Sequence, residues 1–116
     1  AIDKIQKEAK FLRNKLIEKS FASAKLYYNL EDYKAAIVAL NNCLDDFPDT
    51  IYREEIMFLI LKSKFLLAEG SVQEKIIERY QATVDEYYAF YGEFPESDYK
   101  KEAVNMFNVA ESKLKN

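Results

Sequence analysis

The sequence holds few residues that could do catalytic chemistry. It contains no histidine, the commonest general base and a frequent metal ligand. The adjacent carboxylates Asp45–Asp46 and Glu54–Glu55 would point about 100° apart on a helix, so they would not converge on one ion or substrate. No glycine-rich phosphate loop, G-x-S-x-G motif or cysteine pair is present. The sequence therefore predicts no catalytic, cofactor-binding or metal-binding residues, and a protein that is not an enzyme.

The one cysteine predicts a structural thiol. Cys43 precedes Leu44 on the inner flank of an amphipathic segment, and no positive group is placed to lower its pKa. A buried cysteine of this kind behaves as a small hydrophobic residue. With no second cysteine, an internal disulfide is excluded.

The composition of the 116 residues predicts an all-α protein of one domain. Hydrophobic residues make up 49% of the chain, which is enough for a core. Only two glycines and two prolines are present, far fewer than the tight turns of a β protein require. The net charge of −3 argues against a general nucleic-acid binder, and no apolar run approaches the length of a membrane span.

The periodicity of the apolar residues predicts five antiparallel helices joined by short turns. In the second helix, for example, Tyr33, Ile37 and Leu40 are spaced by four and three, which gives one apolar face. Thr50 and Ser97 are predicted as N-caps, and Ser71 with Glu74 as a capping box. The predicted helices are about 2–29, 33–47, 51–68, 72–92 and 97–115.

Two helix ends carry nearly the same sequence. Residues 47–52 read FPDTIY and residues 94–99 read FPESDY, so Pro48 and Pro95 stand 47 residues apart. Because proline cannot continue a helix, each motif marks a second helix ending and a new first helix beginning. This pattern predicts a helix hairpin repeated along the chain and stacked as an α-solenoid.

The 34 residues that end near Pro48 resemble a tetratricopeptide repeat. Ala24 and Tyr27 fall at the small and aromatic sites of its first helix; Ala36, Leu40 and Cys43 match sites of its second. The second unit departs from the repeat because it is 13 residues longer, either in its helices or in the connection around AEGSVQ. The expected division is a single tetratricopeptide-like domain over 1–116, with repeat hairpins at about 17–48 and 50–95 and a terminal helix at 97–115.

A longer stretch resembles the BamD family, the tetratricopeptide lipoproteins of outer-membrane β-barrel assembly. The matching strings are KFLRNKLIEKSFASAKLYYNLEDYKAAIVALNNCLDDFPDT and EFPESDYKKEA. The resemblance implies a scaffold at the periplasmic face of the bacterial outer membrane. Its expected partners are the barrel-bearing assembly subunit with its periplasmic domains and unfolded outer-membrane proteins. The chain would be a carboxy-terminal portion, whose only membrane attachment is a lipid anchor outside this sequence.

The repeat resemblance also implies a protein-binding groove lined by the first helices of successive repeats. Aromatic residues interleaved with lysines would suit an extended or helical peptide segment. An alternative is that the long first helix and its neighbour present a convex face to a partner domain. The groove positions carried onto this chain are Phe21, Lys25, Tyr28, Asn29, Tyr52, Glu55, Leu59 and Lys62.

The same groove fits a second class of protein. A generic cytoplasmic tetratricopeptide adaptor would use it to bind a peptide or a chaperone tail. The residues alone do not separate this adaptor from the outer-membrane scaffold.

Overall fold

The computed structural model describes residues 2–115 and contains five α-helices. They account for 84% of these residues, and no strand occurs among them, which confirms the all-α prediction. The predicted helix bounds were correct to within about three residues. The helices are α1 (Ile2–Asn29), α2 (Tyr33–Asp46), α3 (Arg53–Glu69), α4 (Gln73–Glu93) and α5 (Lys100–Lys115).

The helices form two layers. Each packs against its neighbours in sequence, and α3 also contacts α1 and α5. Within the described residues, α2 and α4 do not contact each other. One layer contains α1, α3 and α5, and the other contains α2 and α4. Neighbouring helices are in contact within the first layer but not within the second, so the stack curves towards α1, α3 and α5. This elongated arrangement is compatible with the predicted α-solenoid, and its principal extents are 64 × 29 × 18 Å.

The central position of α3 follows from its sequence. The stretch IMFLIL, residues 56–61, is apolar on every side of the helix, and all six residues are buried. A helix that is apolar all round requires neighbours on all sides. In this chain α3 is the helix that contacts all four others.

The two FP motifs build the same backbone corner. Phe47 has φ −135° and ψ 67°, and Phe94 has φ −131° and ψ 63°. The amide of each phenylalanine donates to the carbonyl four residues earlier, at 2.9 and 2.8 Å. The repeated sequence thus reflects a repeated structure, as the spacing predicted.

The capping role expected of Thr50 and Ser97 differs in detail. Helices α3 and α5 begin three residues later, at Arg53 and Lys100, rather than directly after the hydroxyl. The Thr50 hydroxyl accepts a hydrogen bond from the Tyr52 amide at 3.1 Å, and that of Ser97 from the Tyr99 amide at 3.0 Å. Both hydroxyls therefore stabilise an extra turn ahead of the helix.

The turn between α1 and α2 has a helix-ending geometry without glycine. The Asp32 amide donates to the Tyr27 carbonyl and the Glu31 amide to the Tyr28 carbonyl, both at 3.0 Å. This is the Schellman pattern, and it places Glu31 in the left-handed region with φ 61°. The Asp32 side chain then caps α2 by accepting from the Ala35 amide.

The capping box predicted at the start of α4 was wrong. The N-terminal flanking residue of α4 is Val72, which makes no side-chain cap. The Ser71 hydroxyl instead donates to the Leu67 carbonyl at 2.6 Å and accepts from the Arg79 guanidinium at 2.7 Å. Ser71 thus closes the end of α3 rather than the start of α4, and its oxygen accepts from the Arg79 side chain instead of from a backbone amide of α4.

The greater length of the second unit lies in its helices. The connections within both hairpins are three residues long, whereas α4 has 21 residues and α2 has 14. Of the two explanations open from the sequence, longer helices is therefore the correct one.

The core divides into three clusters along the stack. Cys43 is fully buried in the first, between α1, α2 and α3, in agreement with the structural role predicted for it. The second cluster joins α3, α4 and α5 around Phe58 and Phe90, and the third closes the far end around Tyr80 and Ala110.

Candidate protein-binding surface

Most of the predicted groove residues meet where α1 packs on α3. The rings of Phe21 and Tyr52 lie 5.2 Å apart, and the Lys25 ammonium is 3.4 Å from the Glu55 carboxylate. Tyr28 packs against the first core cluster and stacks edge-on with Tyr33 at 5.8 Å. The structure thus brings together residues from two helices that are about thirty positions apart in the chain.

Two of the predicted groove residues lie below the surface. Phe21 is 5% exposed and Leu59 is 9% exposed, and both belong to the first core cluster. The expectation that their side chains face an open groove is wrong for these two residues, because both are buried in the cluster that α1, α2 and α3 form. Lys25, Tyr28, Tyr52, Glu55 and Lys62 are half-buried, and Asn29 is exposed at the end of α1.

The α3–α5 interface repeats the contact seen between α1 and α3. The rings of Phe58 and Tyr99 stack at 4.3 Å, and the Lys62 ammonium is 2.6 Å from the Glu102 carboxylate. In both interfaces a phenylalanine and a lysine four residues later face a tyrosine and a glutamate three residues later. We call these the α1–α3 contact (Phe21, Lys25, Tyr52, Glu55) and the α3–α5 contact (Phe58, Lys62, Tyr99, Glu102).

The residues that α5 and its preceding turn contribute to this surface, Tyr99 and Glu102, were not predicted from the sequence. Tyr99 and Glu102 lie 47 residues after Tyr52 and Glu55, so the offset of the two corners would have found them. Phe58 and Lys62, however, follow Phe21 and Lys25 by only 37 residues. Since the two offsets differ, no single repeat period reveals the complete pattern.

The charges of this surface are largely paired with each other. The hydrogen bond to Glu102 raises the pKa of Lys62, and the neighbouring Tyr28 hydroxyl adds to the rise. Burial raises the pKa of Tyr99, and the carboxylates of Glu55 and Glu54 raise it further. The Lys62 ammonium and the Tyr99 hydroxyl are therefore both held in their protonated forms.

A shallow depression lies between the two corners on the same side of the molecule. It has a volume of about 350 Å³, and Ser97 closes one edge by donating to the Glu54 carboxylate at 2.6 Å. Exposed apolar surface comes from Ile51, which is 89% exposed. The depression is lined by Ile51, Tyr52, Glu54, Glu55, Asp98 and Tyr99.

This arrangement offers recognition groups rather than reacting groups. Aromatic rings lie beside ion pairs, and a partner can stack on the rings while exchanging its own charges with the pairs. Within residues 2–115, no three His, Cys, Asp or Glu side chains are grouped so as to hold a metal ion. None of the helices in that range is both long and apolar enough to cross a bilayer.

Comparisons with known proteins add no family to these observations. No protein-family model matches the chain, and no curated protein matches it.

Proposed function

We propose that this chain is a non-enzymatic protein-interaction domain of a BamD-like outer-membrane assembly lipoprotein. The expected partners are the barrel-bearing assembly subunit, through its periplasmic domains, and unfolded outer-membrane proteins. The proposal joins the resemblance of residues 10–50 and 93–103 to that family with the surface formed by α1, α3 and α5.

The observation that carries the binding role is the duplicated contact along the α1–α3–α5 layer. Core packing alone would not require a tyrosine, a lysine and a glutamate at the solvent-facing edge of both the α1–α3 and the α3–α5 interface. A row of aromatic and charged side chains on the inner side of a curved helical stack is suited to a helix or an extended segment. The affinity would come from rings that a partner covers, and the orientation from the paired charges.

The proposed surface can be tested by titrating the chain with the purified periplasmic domains of the barrel-bearing subunit in a calorimeter. The double variant Lys25→Ala/Asn29→Ala removes two of the accessible groups from the end of α1 on this layer. We expect affinity to fall about tenfold, since interface residues that matter cost more than 1 kcal/mol when truncated. Tyr28 is less suitable, because it also packs on the core.

A matched control is Lys34→Ala, which removes an exposed lysine from α2 in the other layer. Its affinity should stay within about twofold of the parent chain. Unchanged binding by the double variant, or an equal loss for Lys34→Ala, would place the interface elsewhere.

The choice between the outer-membrane scaffold and a cytoplasmic adaptor depends on the partner. Capture experiments from detergent-solubilised membranes should recover an outer-membrane barrel protein if the chain is a scaffold. Recovery of soluble partners alone favours the adaptor. In the complete gene, a signal peptide with a lipobox cysteine supports the scaffold and a cytosolic start contradicts it.

A further inference from the structure

Helix α1 carries a second stripe, largely apolar, that faces away from the body of the protein. The side chains that α1 buries are those of Ile17, Phe21 and Ala24. The stripe lies about 140° around the helix from them, and its residues recur with a spacing of four and three. Its first half is apolar and its second half is mixed, and all its members are exposed: Ile5, Ala9, Leu12 and Leu16, then Lys19, Ser23 and Leu26.

The apolar first half of this stripe lies on a part of α1 that extends past the core. Side chains 3–16 are all exposed, and Ile17 is the first buried residue. This first half of α1 contacts the rest of the protein chiefly through Arg13. The Arg13 guanidinium pairs with the Asp49 carboxylate at 2.7 Å and lies over the Phe47 ring. Ile5, Leu12 and Leu16 are 65%, 62% and 60% exposed. About 18 Å of helix, residues 5–16, therefore presents an apolar edge to solvent.

We propose that this half of α1 pairs with the same segment of a second copy of the chain, in antiparallel orientation. In the proposed register Ile5 lies opposite Leu16 of the second copy, and Ala9 lies opposite Leu12. Two-fold symmetry repeats both layers, which gives four apolar layers with a large side chain in each. Each alanine faces a leucine, so large and small side chains alternate across the interface.

Charge complementarity selects this register. Glu8 and Lys15 each precede a residue of the stripe by one position, where flanking charges meet across an antiparallel pair. In the proposed register Glu8 lies beside Lys15 of the second copy, and symmetry supplies the pair twice. Lys15 also lies 3.7 Å from Glu18 of its own helix, but such an exposed pair contributes little.

The competing antiparallel registers are less favourable. A shift of one heptad places Lys15 beside Lys15 of the second copy, which is a like-charge contact, and sets Ile5 opposite the polar Ser23. A shift of two heptads places Lys19 opposite Leu16 of the second copy. The Lys19 ammonium group is then buried beside an apolar side chain. Both carry an electrostatic cost that the proposed register avoids.

A parallel pair is disfavoured for a different reason. It would set Lys19 opposite its own copy inside the apolar layers. It would also direct Glu8 towards Arg13 of the second copy, whose guanidinium is occupied by Asp49. The antiparallel arrangement uses Lys15 instead and leaves the Arg13–Asp49 pair intact.

The proposed pair is small and leaves the α1–α3–α5 surface accessible. Its overlap spans about two heptads, so we expect weak association, with Kd on the order of 10 µM to 1 mM. Because the two copies run antiparallel and overlap near residues 5–16, their bodies lie at opposite ends of the pair. Dimerisation would therefore present two copies of the α1–α3–α5 layer to partners.

Sedimentation equilibrium of the complete chain, from micromolar to about millimolar concentration, tests the proposal. Leu12→Lys should abolish association, because it introduces a charge into two of the four layers. Ile77→Lys is the matched control: Ile77 is a 58% exposed apolar residue on α4, and its change should leave Kd within about twofold.

A charge exchange tests the register. Glu8→Lys and Lys15→Glu should each raise Kd about tenfold, since each converts two attractive contacts into repulsive ones. The double variant Glu8→Lys/Lys15→Glu should restore Kd to within about threefold of the parent value. A chain that stays monomeric at millimolar concentration overturns the proposal, and so does a double variant no better than the single ones.

Discussion

The α1–α3 and α3–α5 contacts use the same four residue types but differ in the distances between their rings and between their charged groups. The rings are 5.2 Å apart and tilted by 36° in the α1–α3 contact, and 4.3 Å apart and nearly parallel in the α3–α5 contact. The ion-pair distances are 3.4 and 2.6 Å. Both contacts adjoin the core: Phe21 belongs to the first cluster and Phe58 to the second, where its ring lies 6.0 Å from that of Phe90. The difference predicts that the α3–α5 contact contributes more to the stability of the fold than the looser α1–α3 contact.

The phenylalanines should show the largest difference between the two contacts. Phe58→Ala removes packing against both α4 and α5, so we expect the free energy of unfolding to fall by about 4–5 kcal/mol. Phe21→Ala should cost about 3 kcal/mol, because the neighbouring end of α1 is exposed to solvent. Urea unfolding followed by circular dichroism measures both. Equal losses would mean that the two interfaces stabilise the fold to the same degree.

The tyrosines should differ by less. In Tyr99→Leu the stacked ring is lost while much of the apolar area remains, and we expect a loss of about 1.5 kcal/mol. Tyr52→Leu should cost about 0.5 kcal/mol, because its ring is tilted and further from Phe21. The same unfolding assay applies, and a greater loss for Tyr52→Leu would reverse the assignment of the tighter contact.

The lysines should show a smaller effect again. Both ion pairs are partly exposed to solvent, which limits each to at most about 1 kcal/mol. Lys62→Met should lower stability by about 0.5–1 kcal/mol, and Lys25→Met by less than about 0.5 kcal/mol. Repeating both measurements at high salt should reduce the difference, since screening weakens exposed pairs. A difference that does not depend on salt would mean that the aliphatic stems, rather than the charges, stabilise the contact.

The pH dependence of the α3–α5 contact has a definite sign. The hydrogen bond to Glu102 raises the pKa of Lys62 above its usual value of 10.5. The stabilisation is therefore complete below pH 10.5 and is lost as the pH rises through the higher folded-state pKa. The stability difference between the parent chain and Lys62→Met should stay constant from pH 7 to pH 10 and then shrink. A difference that disappears below pH 9 would contradict the pKa shift.

Much of the fold was predictable because it depends on local signals. Pro48 and Pro95 mark where α2 and α4 end, and the apolar run at residues 56–61 identifies α3 as the central helix. The capping box at Ser71 was predicted wrongly because a local motif cannot reveal that the Ser71 oxygen accepts from the Arg79 guanidinium rather than from a backbone amide of α4.

The candidate surface was less predictable because it depends on how whole helices are placed. Periodicity identifies Phe21 and Leu59 as apolar, but their burial depends on how α1, α2 and α3 pack together. Tyr99 and Glu102 join the surface because the start of α5 packs beside Phe58 and Lys62 of α3. A repeat taken at one fixed period does not contain that information.

The absence of contact between α2 and α4 within the described residues has a mechanical consequence. Outer helices whose backbones stay apart resist bending less than helices in close contact, so the stack can flex about α3. Such bending would change the curvature of the layer that contains α1, α3 and α5, and with it the width available to a bound segment. If the proposed surface binds a segment, such bending would let it fit segments of different diameter by elastic deformation rather than by unfolding.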